Sequence, residues 1–317
     1  MSIGKNWRYI NEYKGELFGV EVEVEAKRFA LDYLYENEDW IIKDDGSLRG
    51  FSFEAVTNKP ENKQKTIEKI NTLYDLIPKN TIKKGFRSGI HVHYNQSHKE
   101  EIDILKTIVC FMIAEDFLVK WCGNNREGNM FCLSSSYAEQ QLFSVGECIR
   151  NHLLGLNTLN TTSKYWSRYS ATNIRSLSKF GTIEWRALET EETPDKLIKF
   201  LDILSAIENF SQRYTIKELL KRKTKVDLIN LVCNHVGDIE ELDRIYLETL
   251  NKSLILDLYL HPREKEEKEP KNLYKVFNVD ENPLNQNPAG QGPMRVINRR
   301  LNRQQIIIDD EFEVEVE

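Results

Sequence analysis

Four short stretches of the 317-residue chain carry side chains able to hold a cation or grip a phosphate. The first is Gly19-Val20-Glu21-Val22-Glu23-Val24-Glu25. On an extended strand the three valines face one way and the three glutamates the other. Parallel carboxylates repel unless water or a cation lies between them, and Mg²⁺ accepts carboxylate oxygens, waters and phosphates in one shell. The same alternation also describes a strand with one solvated face. Glu311 to Glu317, EFEVEVE, repeats it at the far end of the sequence, so the pattern alone does not separate a metal ligand from surface.

The second stretch is Asp44-Asp45-Gly46-Ser47-Leu48 followed by Phe53-Glu54-Ala55-Val56-Thr57. Asp-Gly is a tight-turn signal, which accounts for Asp45 without any function. Glu54 lies among apolar neighbours, so its carboxylate needs a salt-bridge partner or a metal. The third is Ser88-Gly89-Ile90-His91-Val92-His93-Tyr94, with both histidines on one face of a strand. Imidazole binds Mg²⁺ less readily than Zn²⁺ or Fe²⁺, yet one histidine among carboxylates suits Mg²⁺ or Mn²⁺, and a second can bond a phosphate. The fourth is Arg168-Tyr169-Ser170-Ala171-Thr172-Asn173-Ile174-Arg175, then Gly181-Thr182-Ile183-Glu184-Trp185-Arg186. Glu184 and Arg186 share a face, either as a surface ion pair or as a metal ligand beside an anion-gripping guanidinium.

The elements that must position these residues are strands at Phe18 to Glu25, Phe51 to Thr57, Gly89 to Tyr94 and Thr182 to Leu188. A long helix is expected from about Lys99 to Trp121, opened by a Ser97/Glu100 capping box and closed by Gly123. Another starts at Thr193-Pro194-Asp195 and carries an apolar stripe of Leu197, Phe200, Leu201, Leu204 and Ile207. Amphipathic helices follow from Thr215. The irregular alternation indicates α+β, not a βαβ series.

Composition narrows the classes. Hydrophobic residues make up 40% and the formal net charge is −6, which argues against a nucleic-acid binder and leaves acidic groups for cations. Five cysteines without a CxxC pair suggest neither a disulfide framework nor a zinc knuckle, and fit a cytoplasmic setting. No signal peptide and no membrane-length apolar run is visible. A catalytic domain is expected over residues 1–261, helical from about 210. Residues 262–317 are charged and rich in Pro and Asn, and read as a disordered tail.

Taken together, GVEVE, DGSL with FE, SGIHVH, RYSATN and TIEWR resemble, in order and spacing, the glutamine synthetase and glutamate–cysteine ligase superfamily. Within it the chain most resembles the amidoligase family often encoded by bacteria and phages. The resemblance covers about Phe18 to Ala187. It implies a curved antiparallel sheet with flanking helices, two or three divalent ions, and ATP. The reaction implied joins a carboxylate to an amine through an acyl phosphate. By the resemblance, Glu21, Glu23, Glu54, His91 and Glu184 are metal ligands and His93 contacts phosphate. Arg186 is a catalytic arginine, which also binds nucleotide. Arg168, Asn173 and Arg175 face phosphate and substrate, with Asn173 in a catalytic role. Asp45 is the acid of the family's turn. Substrates such as a peptide or a cell-wall fragment, and a glutamine-processing partner protein, are further implications. The resemblance departs at Trp185, where the family usually has phenylalanine.

Three alternatives compete. A guanidino kinase-like phosphotransferase belongs to the same superfamily, but SGIHVH argues against it. A cupin-type metal protein would match Gly85 and His91-x-His93, yet lacks the glutamate required four or five residues later. A non-enzymatic structural or metal-binding protein could keep the fold without the reaction.

Overall fold

The alternation of apolar and acidic residues after Leu17 does form a strand, and its valines are fully buried. The computed structural model describes residues 15–236. Six strands occur among them: β1 (Phe18–Ala26), β2 (Trp40–Lys43), β3 (Phe51–Thr57), β4 (Gly89–Asn95), β5 (Thr172–Asn173) and β6 (Thr182–Glu189). They form one open sheet in the order β2-β3-β1-β4-β6-β5, with every neighbouring pair antiparallel. Four of the six follow the expected bounds to within a residue or so. The short β2 and β5, at the two edges, were not apparent in the residue pattern.

One sheet face is apolar. Val20, Val22 and Val24 share it with Phe53, Ala55, Ile90, Val92, Ile183 and Trp185, all buried. Helices cover it: α1 (Lys63–Leu76), α2 (Glu101–Cys122) and α4 (Asp195–Gln212), with α5 (Arg222–Val236) packed on α2 and α4. The short α3 (Arg175–Phe180) links β5 to β6. Gly181 ends α3 at φ +70°, a left-handed conformation that a side chain would strain, and a Cβ there would lie 2.8 Å from Ser97 Cβ. The mixed helix-and-strand content agrees with the α+β expectation.

Two helix starts differ from expectation. The Ser97/Glu100 capping box does not form, because Asn95 Oδ1 accepts both the Ser97 N–H at 3.1 Å and its hydroxyl at 2.8 Å. α2 therefore begins at Glu101, without a side-chain cap, and runs to the expected Gly123. In α4 the cap position is Pro194 and not Thr193, whose hydroxyl instead donates to Asp195 at 2.8 Å. The expected stripe of Leu197, Phe200, Leu201, Leu204 and Ile207 is buried. The five cysteines are unpaired thiols, four of them buried. Among the described residues no helix is long and apolar enough to cross a membrane. The expected domain boundary after His261 and the tail beyond it lie outside the described residues.

Trp185 locks the sheet to its helices, with ring centroids 6.0 Å from Phe111 on α2 and 5.6 Å from Phe200 on α4. Trp185→Ala should lower unfolding free energy by about 3–5 kcal/mol, measured by urea denaturation. A change below about 1 kcal/mol would mean that this packing does not hold the sheet.

Candidate functional site

The opposite face of the sheet is polar, and strand register brings distant stretches together on it. Glu23 stands opposite Glu54, Glu21 opposite His91, and His93 opposite Glu184. At the edges, Lys43 stands opposite Glu54 and Asn173 opposite Glu184. Directly opposed residues of antiparallel strands share a face, so the register alone places all of these side chains together.

The distances are short. His91 Nδ1 lies 3.1 Å from Glu21 Oε2 and 3.8 Å from Glu184 Oε1, while its Nε2 lies 3.6 Å from Glu23 Oε1. His93 Nε2 is 3.6 Å from Glu21 Oε1 and 4.0 Å from Glu184 Oε2. The other nitrogen of His93 is 3.0 Å from the Thr182 hydroxyl, which fixes the ring. Asn173 donates to Glu184 at 2.7 Å, and Arg186 forms an ion pair with the same carboxylate. Lys43 pairs with Glu54 at 2.9 Å, so the buried glutamate has the salt-bridge partner that its surroundings demanded.

Burial and neighbouring charges together shift the protonation of these groups. It raises the carboxyls of Glu23 and Glu54, with neighbouring glutamates adding to the effect. Glu21 is different: burial raises it, but hydrogen bonds and charge from His91 and His93 outweigh this and hold it well below the ordinary value. For His93 burial favours the neutral ring, yet Glu184 and Glu21 outweigh burial and raise it.

Two adjoining hollows of about 240 and 190 Å³ lie over this face and share Glu21, Arg168 and Arg186. The first is floored by Glu23, Asp45, Glu54 and His91 and edged by Arg87. The second is lined by His93, Glu184, Asn173, Arg175 and Lys179. The trough is thus acidic at one end and basic at the other. Among the described residues, the guanidiniums of Arg87, Arg168 and Arg175 have no carboxylate partner: Arg87 donates to the Ser47 carbonyl at 3.2 Å, and Arg168 bonds the Tyr169 hydroxyl. Arg186 Nε is buried without a hydrogen-bond partner. A third cavity, about 420 Å³, adjoins the basic hollow through Lys179 and Phe180, and Gln96, Asn160 and Leu177 line it.

Every residue singled out from the sequence lies on this face or in these hollows. Asp45 lines the acidic hollow, but one of its oxygens accepts the Ser47 N–H at 2.7 Å, so it also serves the turn. Glu25 serves structure: it accepts the Arg49 N–H at 2.8 Å and ties the Asp-Gly turn to β1. The tightest potential metal set is Glu21, His93 and Glu184, whose ligand atoms all lie within 4.8 Å of one another. It includes His93, the histidine assigned to phosphate, and not His91. Sequence reasoning missed Arg87 and Lys179; the position of Arg87 directly before Ser88-Gly89 was the available signal.

Oxygen donors with one imidazole and no thiol fit Mg²⁺ or Mn²⁺. No family model matches the chain, and no curated protein matches it.

In the metal-free protein, the raised His93 contributes stability fully below the ordinary histidine value of 6.5 and loses it as pH rises through its higher folded value. Glu21 has the opposite sign: its contribution is present above 4.5 and lost as pH falls through its depressed value. A divalent ion held by Glu21, His93 and Glu184 must displace the imidazole proton. Mn²⁺ binding should therefore release a proton near neutral pH and tighten as pH rises. Calorimetry in buffers of different ionisation enthalpy measures this, and a heat independent of buffer would contradict it.

Proposed function

We propose that the chain is a Mg²⁺- and ATP-dependent carboxylate–amine ligase, with its active site on the polar face of an antiparallel sheet of the glutamine synthetase type. One observation carries the reading. Four stretches far apart in sequence bring four glutamates and two histidines to one face, beside arginines that pair with no carboxylate among the described residues. Guanidiniums left available beside clustered acids suit an anion bound next to a cation.

The two ends of the trough suit two tasks. Glu21 and Glu184, with His93, would hold the divalent ions, and Glu23, Glu54 and His91 extend that set. Mg-ATP held there would supply charge neutralisation and a phosphoryl group that makes the carboxylate oxygen a phosphate leaving group. Arg168, Arg175 and Lys179 would bind the polyphosphate, and the cavity behind Phe180 has room for the nucleoside. Arg186, common to both hollows, would stabilise charge developing between carboxylate and phosphate. Asn173 orients Glu184. The sum is carboxylate, amine and ATP in, and amide, ADP and phosphate out.

Hydroxylamine can stand in for an unknown amine. Screening pools of carboxylates with Mg-ATP and hydroxylamine should give equimolar ADP and hydroxamate. Glu21→Gln and Glu184→Gln should abolish both products with circular dichroism unchanged. Arg186→Gln should lower kcat by about 10²–10³, and Asn173→Ala should weaken Mn²⁺ by about 10–100-fold. ADP formation that needs no carboxylate would favour a phosphotransferase instead. Full activity in both glutamate variants would place the site elsewhere.

A further inference from the structure

β6 is irregular beside the site. Ile90 pairs with Leu188 and Val92 with Trp185, so Arg186 and Ala187 together stand opposite His91 alone. This bulge lets Trp185 and Leu188 both enter the core while Arg186 between them lines the trough. Unbroken alternation from Trp185 would instead send Leu188 toward the glutamates.

A bulge disrupts the ladder, and its main-chain carbonyls need other donors. Arg126 supplies them. Its Nε donates to Ala187 O at 2.9 Å, Nη2 to Leu188 O at 3.1 Å, and Nη1 to Phe86 O at 3.4 Å. The side chain is 2% exposed, and among the described residues no carboxylate pairs with it. A buried cation held only by carbonyls is costly, which makes a purely incidental placement a poor explanation. The same guanidinium ties the carbonyl next to Arg87 to the bulge that carries Arg186. Gly89 makes room for it: a Cβ there would lie 2.0 Å from Nη2. Gly89 is not among the positive-φ glycines, so space is what its missing side chain provides.

We propose that Arg126 is a positioning residue of the site, a carbonyl clamp that fixes the β6 bulge and thereby the place of Arg186 in the trough. Whatever reaction the trough performs, the clamp sets where Arg186 stands.

The test reads Arg186 directly, through its side-chain Nε–H resonance in a ¹⁵N spectrum, identified by its loss in Arg186→Lys. Arg126→Lys keeps charge and stem, but a single ammonium lacks the planar fork that spans three carbonyls. Gly89→Ala displaces the guanidinium without altering it. In each variant the Arg186 resonance should shift or broaden, and Gly89→Ala added to Arg126→Lys should move it no further. The indole resonances of Trp40 and Trp166, whose N–H groups bond Lys69 O and Thr172 O, should stay in place. An unmoved Arg186 resonance in either folded variant overturns the proposal. So does a general disturbance that also moves both indoles, or loss of folding in both variants, since each marks a merely structural role. The measurement needs no substrate, metal or nucleotide, so its outcome is separate from that of the ligase reading.

Discussion

Like charges held side by side on a sheet are the constraint around which this molecule is arranged. Two unit charges about 4 Å apart interact by about 4 kcal/mol at the effective dielectric of a protein surface. Glu21 and Glu184 bring carboxylate oxygens within 4.8 Å of each other, and Glu23 and Glu54 stand opposite one another on the same largely buried face. The protein offsets the repulsion locally. Lys43 pairs with Glu54, Arg186 with Glu184, and the histidines with Glu21. Burial keeps Glu23 and Glu54 reluctant to ionise. In the proposed reading a divalent ion would take over this neutralisation at the acidic end, beside the phosphate-binding arginines of the basic end.

Rigidity comes from the other side of the same strands. Each glutamate or histidine alternates with a buried Val, Ile or aromatic residue, so the packed face fixes the polar one. Sites on strands hold geometry better than sites on loops. A second ring of contacts completes the placement: Thr182 orients His93, Asn173 orients Glu184, and Ser47 occupies Asp45. At the β5 edge, Glu115 is fully buried and accepts from the Thr172 hydroxyl at 2.8 Å and the Ser135 N–H at 2.6 Å. It thereby anchors the strand that carries Asn173.

Much of this was legible in the sequence, and the limits have physical causes. Period-two alternation revealed β1, β3, β4 and β6, because one buried face imprints itself on every second residue. The two-residue β5 and four-residue β2 are too short to carry a period. Register was not legible: that Glu21 meets His91 depends on β1 pairing with β4, and that His93 meets Glu184 depends on β4 pairing with β6. Glu25 shares the pattern of Glu21 and Glu23, yet it serves a turn, and alternation cannot tell them apart. The Ser97 cap failed because Asn95 competes for the same groups, a local contest that motif spacing does not reveal. Arg126 has no pattern of its own; its meaning appears only once the bulge and Gly89 are seen around it.

The central claim is that one acidic pocket grips a nucleotide through divalent ions. Crystals grown with Mn²⁺ and a non-hydrolysable ATP analogue test it most directly, through the anomalous signal of the metal. The account predicts anomalous peaks within coordination distance of Glu21, His93 or His91, and Glu184, with the triphosphate running toward Arg168 and Arg175. Manganese elsewhere, or a trough empty of both metal and nucleotide at saturating concentrations, would contradict it.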